Sequence, residues 1–60
     1  MKQDYITTLG ITLNVMADHN DIEGIKSVMS NSGYTLDEIH QKCPFLDIAF
    51  LLGLRATGDL

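Results

Sequence analysis

The sequence predicts an all-α domain of three to four short helices, at about residues 4–18, 21–31, 35–42 and 44–56, with residues 1–60 forming one unit. Three observations carry that reading. Apolar residues recur at helical spacing in the first third of the chain. The middle carries explicit helix start and stop signals. Between positions 45 and 54 the only polar side chain is Asp47, and a run that apolar must be hidden by a fold of this size.

The first segment is the ambiguous one. Leu9, Ile11, Leu13 and Val15 alternate with Gly10, Thr12 and Asn14, the signature of a half-buried strand. Ile6, Leu9, Leu13 and Met16 also fall at 3-4-3 spacing, a helical stripe with Tyr5 and Ala17 on its flank. No other segment reads as a strand, and a lone strand leaves its backbone groups unpaired. Helix is therefore the expectation, with a two-stranded ribbon between chains over residues 9–15 as its competitor.

Asp18, His19, Asn20 and Asp21 form a polar junction. Asn20 or Asp18 is the expected cap of the second helix, with Glu23 three positions after Asn20. Ile22, Ile25, Val28 and Met29 supply its apolar face, and Gly24 weakens it by up to about 1 kcal/mol relative to alanine. Gly33, after Asn31 and Ser32, is the natural left-handed residue beyond a helix end. Thr35, Leu36, Asp37 and Glu38 spell a capping box, with Tyr34 and Ile39 placed as a hydrophobic staple. Lys42 suits the negative end of that third helix.

Pro44 disfavours helical geometry at Cys43 and suits the first turn of a new helix. A fourth helix over 44–56 follows, closed by Thr57 and Gly58. On its projection Phe45, Ile48, Ala49 and Leu52 share one face, and Leu46, Phe50, Gly53 and Leu54 the next. Leu51 falls between Asp47 and Arg55. A surface helix needs an apolar stripe only about 100° wide, so this one needs cover on two sides.

Length sharpens that need. A 60-residue chain buries only about 60% of the surface its unfolded form exposes, and small folds commonly add disulfides, a metal or oligomerisation. Cys43 is the single cysteine, which leaves no internal disulfide and suits a reducing compartment. Association remains, and a symmetric homodimer is the commonest closed form. The expected interface is Phe45, Ile48, Phe50, Leu51 and Leu54, with Gly53 allowing close approach. Ile11 and Val15 on the first helix form a second candidate surface.

Charge bears on partners. Eight acids against four bases give a net charge of −4. Lys2, Lys26, Lys42 and Arg55 are scattered, with no stripe to follow a phosphate backbone or an anionic membrane. The apolar runs are too short to span a bilayer. Asp4 and the threonines at 7, 8 and 12 interrupt any secretory apolar stretch behind Lys2. The expected location is the cytoplasm.

The search for chemistry is short. His40 and Cys43 lie three residues apart, a spacing compatible with a thiolate–imidazole pair or half a zinc site. Zinc wants four ligands and no second Cys/His pair is present. The plainer reading is a buried thiol beside an exposed histidine. The stretch from Asp18 to Gly24 fails as a calcium loop, because Ile22 and Glu23 stand where an oxygen ligand and a glycine belong. The five glycines are dispersed and cradle no phosphate. A chain this small is also not expected to enclose a pocket of ordinary ligand volume.

The function class these residues favour is therefore not an enzyme and needs no cofactor or metal. It is a small protein–protein interaction module, an adaptor, inhibitor or regulator, acting through an apolar helical surface. By size and charge alone the analogy is with small accessory regulators of phages and bacteria. The alternative is a DNA-binding helix-turn-helix made of the second and third helices. Its recognition helix would present Asp37 and Glu38 to the bases, which makes nucleic acid a poor partner.

Overall fold

A computed structural model describes residues 4–60. Lys2, counted above among the four scattered bases, lies outside them. Among the described residues there are four helices and no strand: α1 (Tyr5–Asp18), α2 (Ile22–Ser32), α3 (Leu36–Lys42) and α4 (Ile48–Ala56). Helix α1 is the trunk against which both α2 and α3 pack, and α4 packs against α3.

The strand alternative for residues 9–15 is resolved by burial. Ile6, Leu9, Leu13 and Ala17 are buried, while Ile11 and Val15, which only the alternating pattern would have placed inside, are about half exposed. The helical stripe wins because its residues meet Ile25 of α2, Leu36 and Ile39 of α3, and Leu46, Leu51 and Leu54 in one core. Asp4 caps α1, its carboxylate accepting from the Ile6 N–H at 3.4 Å.

The second helix starts one residue later than its expected cap. Asp21, not Asn20 or Asp18, is the N-cap, accepting from Gly24 N–H at 3.0 Å. Asn20 instead takes a left-handed conformation with φ 53°, which short amide side chains tolerate. A Cβ at position 24 would press on the Asp21 carboxylate, so Gly24 makes room for the cap. At the other end Gly33 has φ 78°, as read from the sequence.

The capping box is present in both directions. Thr35 Oγ1 accepts from Glu38 N–H at 3.2 Å and Glu38 Oε1 accepts from Thr35 N–H at 2.9 Å. Tyr34, placed as the staple residue, has its ring 6.1 Å from that of Tyr5 on α1, so the entry to α3 is tied to the trunk.

The fourth helix is shorter than the sequence reading made it. Residues 44–47 are not helical, and α4 begins at Ile48 with Asp47 as N-cap, accepting from Phe50 N–H at 3.4 Å. Two preferences competed for Pro44: the first helical position and the second position of a β-turn. The turn prevails, with Leu46 N–H donating to the Cys43 carbonyl at 3.0 Å. The other end is as expected. Gly58 (φ 87°) donates to Arg55 O at 3.2 Å and Asp59 to Leu54 O at 2.9 Å, the paired bonds of a Schellman closure.

Candidate functional surface

The turn at residues 44–47 is held against α1. The turn crosses α1 at Asn14, whose side-chain amide serves it on both sides. Nδ2 donates to the Phe45 carbonyl at 2.9 Å, and Oδ1 accepts from Asp47 N–H at 2.8 Å. One side chain thus satisfies two backbone groups that neither helix can serve. Just before the turn, Cys43 is fully buried against Gly10, and its thiol donates to the Ile6 carbonyl at 3.4 Å.

The backbone of Phe45 is thereby fixed against α1. Phe45 remains 50% exposed although its carbonyl is clamped. Its ring edge stands 3.5 Å from where a Cβ on Gly10 would be. At 100° per residue, Asn14 lies about 40° around α1 from Gly10, Ile11 about 100° and Val15 about 140°. Ile11 is 45% and Val15 52% exposed. Phe45 on the turn and Ile11 and Val15 on α1 are exposed apolar side chains, together termed the Phe45 shoulder below.

The expected interface residues do not stay together. Leu51 is fully buried and Leu54 nearly so, both by their own chain, so neither is on offer to a partner. Ile48 and Phe50 are half-buried against the core. Of the five, Phe45 alone is largely exposed. The projection misjudged Leu51 because its neighbours at i−4 and i+4, Asp47 and Arg55, sit at the two ends of α4 where charges reach water, while Leu51 stands mid-helix against the core. The outward face of α4 is Ala49, Leu52, Gly53 and Ala56, mostly small residues with Leu52 the one large apolar group, 38% exposed. Gly53 meets no other part of the chain within 4 Å of a built Cβ.

Sequence reasoning found Ile11, Val15 and Phe45, but missed Asn14. A lone asparagine at mid-helix carries no periodic signal, and its two partners lie 31 and 33 residues away.

Among the described residues no hydrogen bond links His40 to Cys43. The thiol is enclosed and bonded to a backbone carbonyl, and His40 is half-buried on the preceding turn. Among the described residues no group of three or more His, Cys, Asp or Glu side chains is placed to hold a metal ion. No helix among them is long and apolar enough to cross a membrane.

The chain encloses no such pocket among its described residues, but it has an open cleft. The cleft, of about 400 Å³, is lined by Lys26, Met29 and Ser30 of α2, Thr35 and Leu36 at the start of α3, and Arg55, Asp59 and Leu60 at the end of the chain. It arises because α2 packs on α1 and α4 packs on α3, leaving a gap over the first turn of α3.

No family model matches this chain, and comparison with curated proteins and with solved structures yields no match.

Proposed function

We propose that this protein is a non-catalytic protein–protein interaction module that pairs with a second copy through the Phe45 shoulder and regulates another protein by binding it. The observation that supports this most directly is the mounting of Phe45. A large apolar side chain left half-exposed is ordinarily free to collapse onto its own chain. Here the backbone is held by Asn14 and one ring edge lies 3.5 Å from where a Cβ on Gly10 would stand, which limits that collapse. Preorganised aromatic anchors lose little entropy on binding and are the residue type that dominates interface energetics. Exposed Ile11 and Val15 on α1 add apolar surface of the kind that marks an interaction site on a small protein. A two-fold axis through that patch sets it against itself. The outward face of α4, with Leu52, stays free for the regulated protein. A single thiol, held in the core, suits action in the cytoplasm.

The helix-turn-helix alternative has one supporting observation, the three-residue Gly33-Tyr34-Thr35 connection between α2 and α3. Against it, α3 is only seven residues long and opens on exposed Asp37 and Glu38, which phosphates repel. Salt separates the two readings. Self-association of chains carrying −4 each strengthens as salt screens their repulsion, whereas binding to duplex weakens steeply. Titration with random duplex at low salt is expected to show no binding. Binding that falls with added salt would establish the alternative.

A further inference from the structure

Between Asp4 and Asp18 no acid, base or histidine interrupts α1. The other helices all expose charge: Glu23 and Lys26 on α2, Asp37, Glu38 and Lys42 on α3, Arg55 on α4. On α1, Thr8, Ile11, Thr12 and Val15 fall within about 100° of one another, on the side turned away from buried Ile6, Leu9 and Leu13. Thr8, Ile11 and Val15 are exposed and Thr12 is half-buried. All four are β-branched, a type that helices disfavour and from which a solvated helix face gains nothing. What β-branching supplies is a side chain stiff at its first torsion, with little freedom left to lose on packing.

The two threonines suit a dry contact. Thr8 Oγ1 donates to the Asp4 carbonyl at 3.3 Å and Thr12 Oγ1 to the Thr8 carbonyl at 2.9 Å. Each hydroxyl proton is already placed within the helix, so covering this face strands no donor. Charge at the ends of the face selects a direction of pairing. Asp4 caps the start of α1, and His19 closes its end with Nδ1 2.8 Å from the Val15 carbonyl. Two copies laid parallel set Asp4 on Asp4 and Asp18 on Asp18, with the helix dipoles aligned. Laid antiparallel, each positive helix end meets a negative one, and Asp4 meets His19. Asp18, about 70° off the middle of the face against about 30° for His19, is turned to its edge.

We propose that the chain pairs by packing α1 antiparallel on the α1 of a second copy, with the two-fold axis between Ile11 and Thr12. This rests on the reading that the chain associates with itself, and it adds the contact's direction and register. Thr8 faces the partner's Val15, while Ile11 and Thr12 each face their own counterpart, a self-complementary contact. Phe45, held at the level of Gly10 and Asn14, falls on the Ile11 side of this face rather than the Thr12 side.

Disulfide trapping tests direction and register. Thr8→Cys and Val15→Cys each place a thiol at an exposed position, and native Cys43, fully buried, stays as the blank. Under mild air oxidation at micromolar protein, a mixture of the two variants is expected to give several-fold more covalent dimer than either alone, identified by mass as the mixed species. Thr12→Cys is expected to link to itself, and Ser27→Cys, exposed on α2, to give no more than the wild type. Ile11→Asp gives a readout independent of thiols. It should keep the helical circular dichroism spectrum and weaken self-association at least about ten-fold, because two carboxylates then meet across the axis. Thr8→Cys or Val15→Cys alone trapping as much dimer as their mixture would overturn this arrangement and leave self-association standing. A wild-type dimer that no cysteine variant traps, or that Ile11→Asp does not weaken, would do the same. A wild-type protein that sediments as a single chain would overturn both, leaving the α1 face to a different protein.

Discussion

The thiol of Cys43 occupies the space that a side chain at position 10 would need. A Cβ built on Gly10 would come within 2.5 Å of Cys43 Sγ and 2.9 Å of its Cβ. This close approach lets the end of α3 sit on the α1 backbone, and from there the turn delivers Phe45 to the surface.

Gly10→Ala is therefore expected to destabilise the protein by about 1–2 kcal/mol. Overpacking costs about 1–3 kcal/mol, partly offset by the helix preference for alanine of up to about 1 kcal/mol. In a Cys43→Ala background the same change should cost at least about 1 kcal/mol less, the coupling expected of residues in contact. Urea denaturation of the four proteins reads it. Additive effects would mean that the two residues do not touch.

The Asn14 clamp makes a second prediction. Asn14→Ala removes two hydrogen bonds, each with a net value of about 0.5–1.5 kcal/mol, so a loss of about 1–3 kcal/mol is expected. The more specific readout is amide exchange. The Asp47 N–H, which Asn14 protects, should exchange much faster in the variant, while amides at mid-α2 are unchanged. Unaltered protection at Asp47 would show that the turn is held by something else.

Capping at α3 separates the two halves of the box. Thr35→Ala removes the acceptor for Glu38 N–H, at an expected cost of about 1 kcal/mol. Glu38→Gln keeps an oxygen for Thr35 N–H and should cost well under half as much. Equal losses would assign the Glu38 contribution to its charge near the helix start rather than to the hydrogen bond.

Where the sequence was legible, a residue type had one strong local reason to be there. Gly33 and Gly58 end helices with positive φ, and Thr35 with Glu38 begins one. Burial of Ile6, Leu9 and Leu13 follows from their helical spacing once a lone, unpaired strand is set aside. Legibility failed where two local preferences competed. Pro44 suits both a helix start and a turn, and the outcome depends on Asn14, far away in sequence, which anchors the turn. The same anchoring ended the expectation that residues 44–56 form one helix with two apolar faces. It moved the candidate surface from the middle of α4 to Phe45 and α1. The cleft was not legible either, since it lies between elements that pack on different partners.

The most direct test of the account is the mass of the protein in solution, taken with a pair of variants. Sedimentation equilibrium at micromolar concentration is expected to give twice the 6.6 kDa chain mass. Phe45→Asp, at an exposed position, should give a folded single chain with an unchanged helical circular dichroism spectrum. Leu51→Asp should lose that spectrum altogether, because an unpaired charge in the core costs more than a small domain can spare. A wild-type protein that sediments as a single chain, or a Phe45→Asp variant that remains a dimer, would contradict the account.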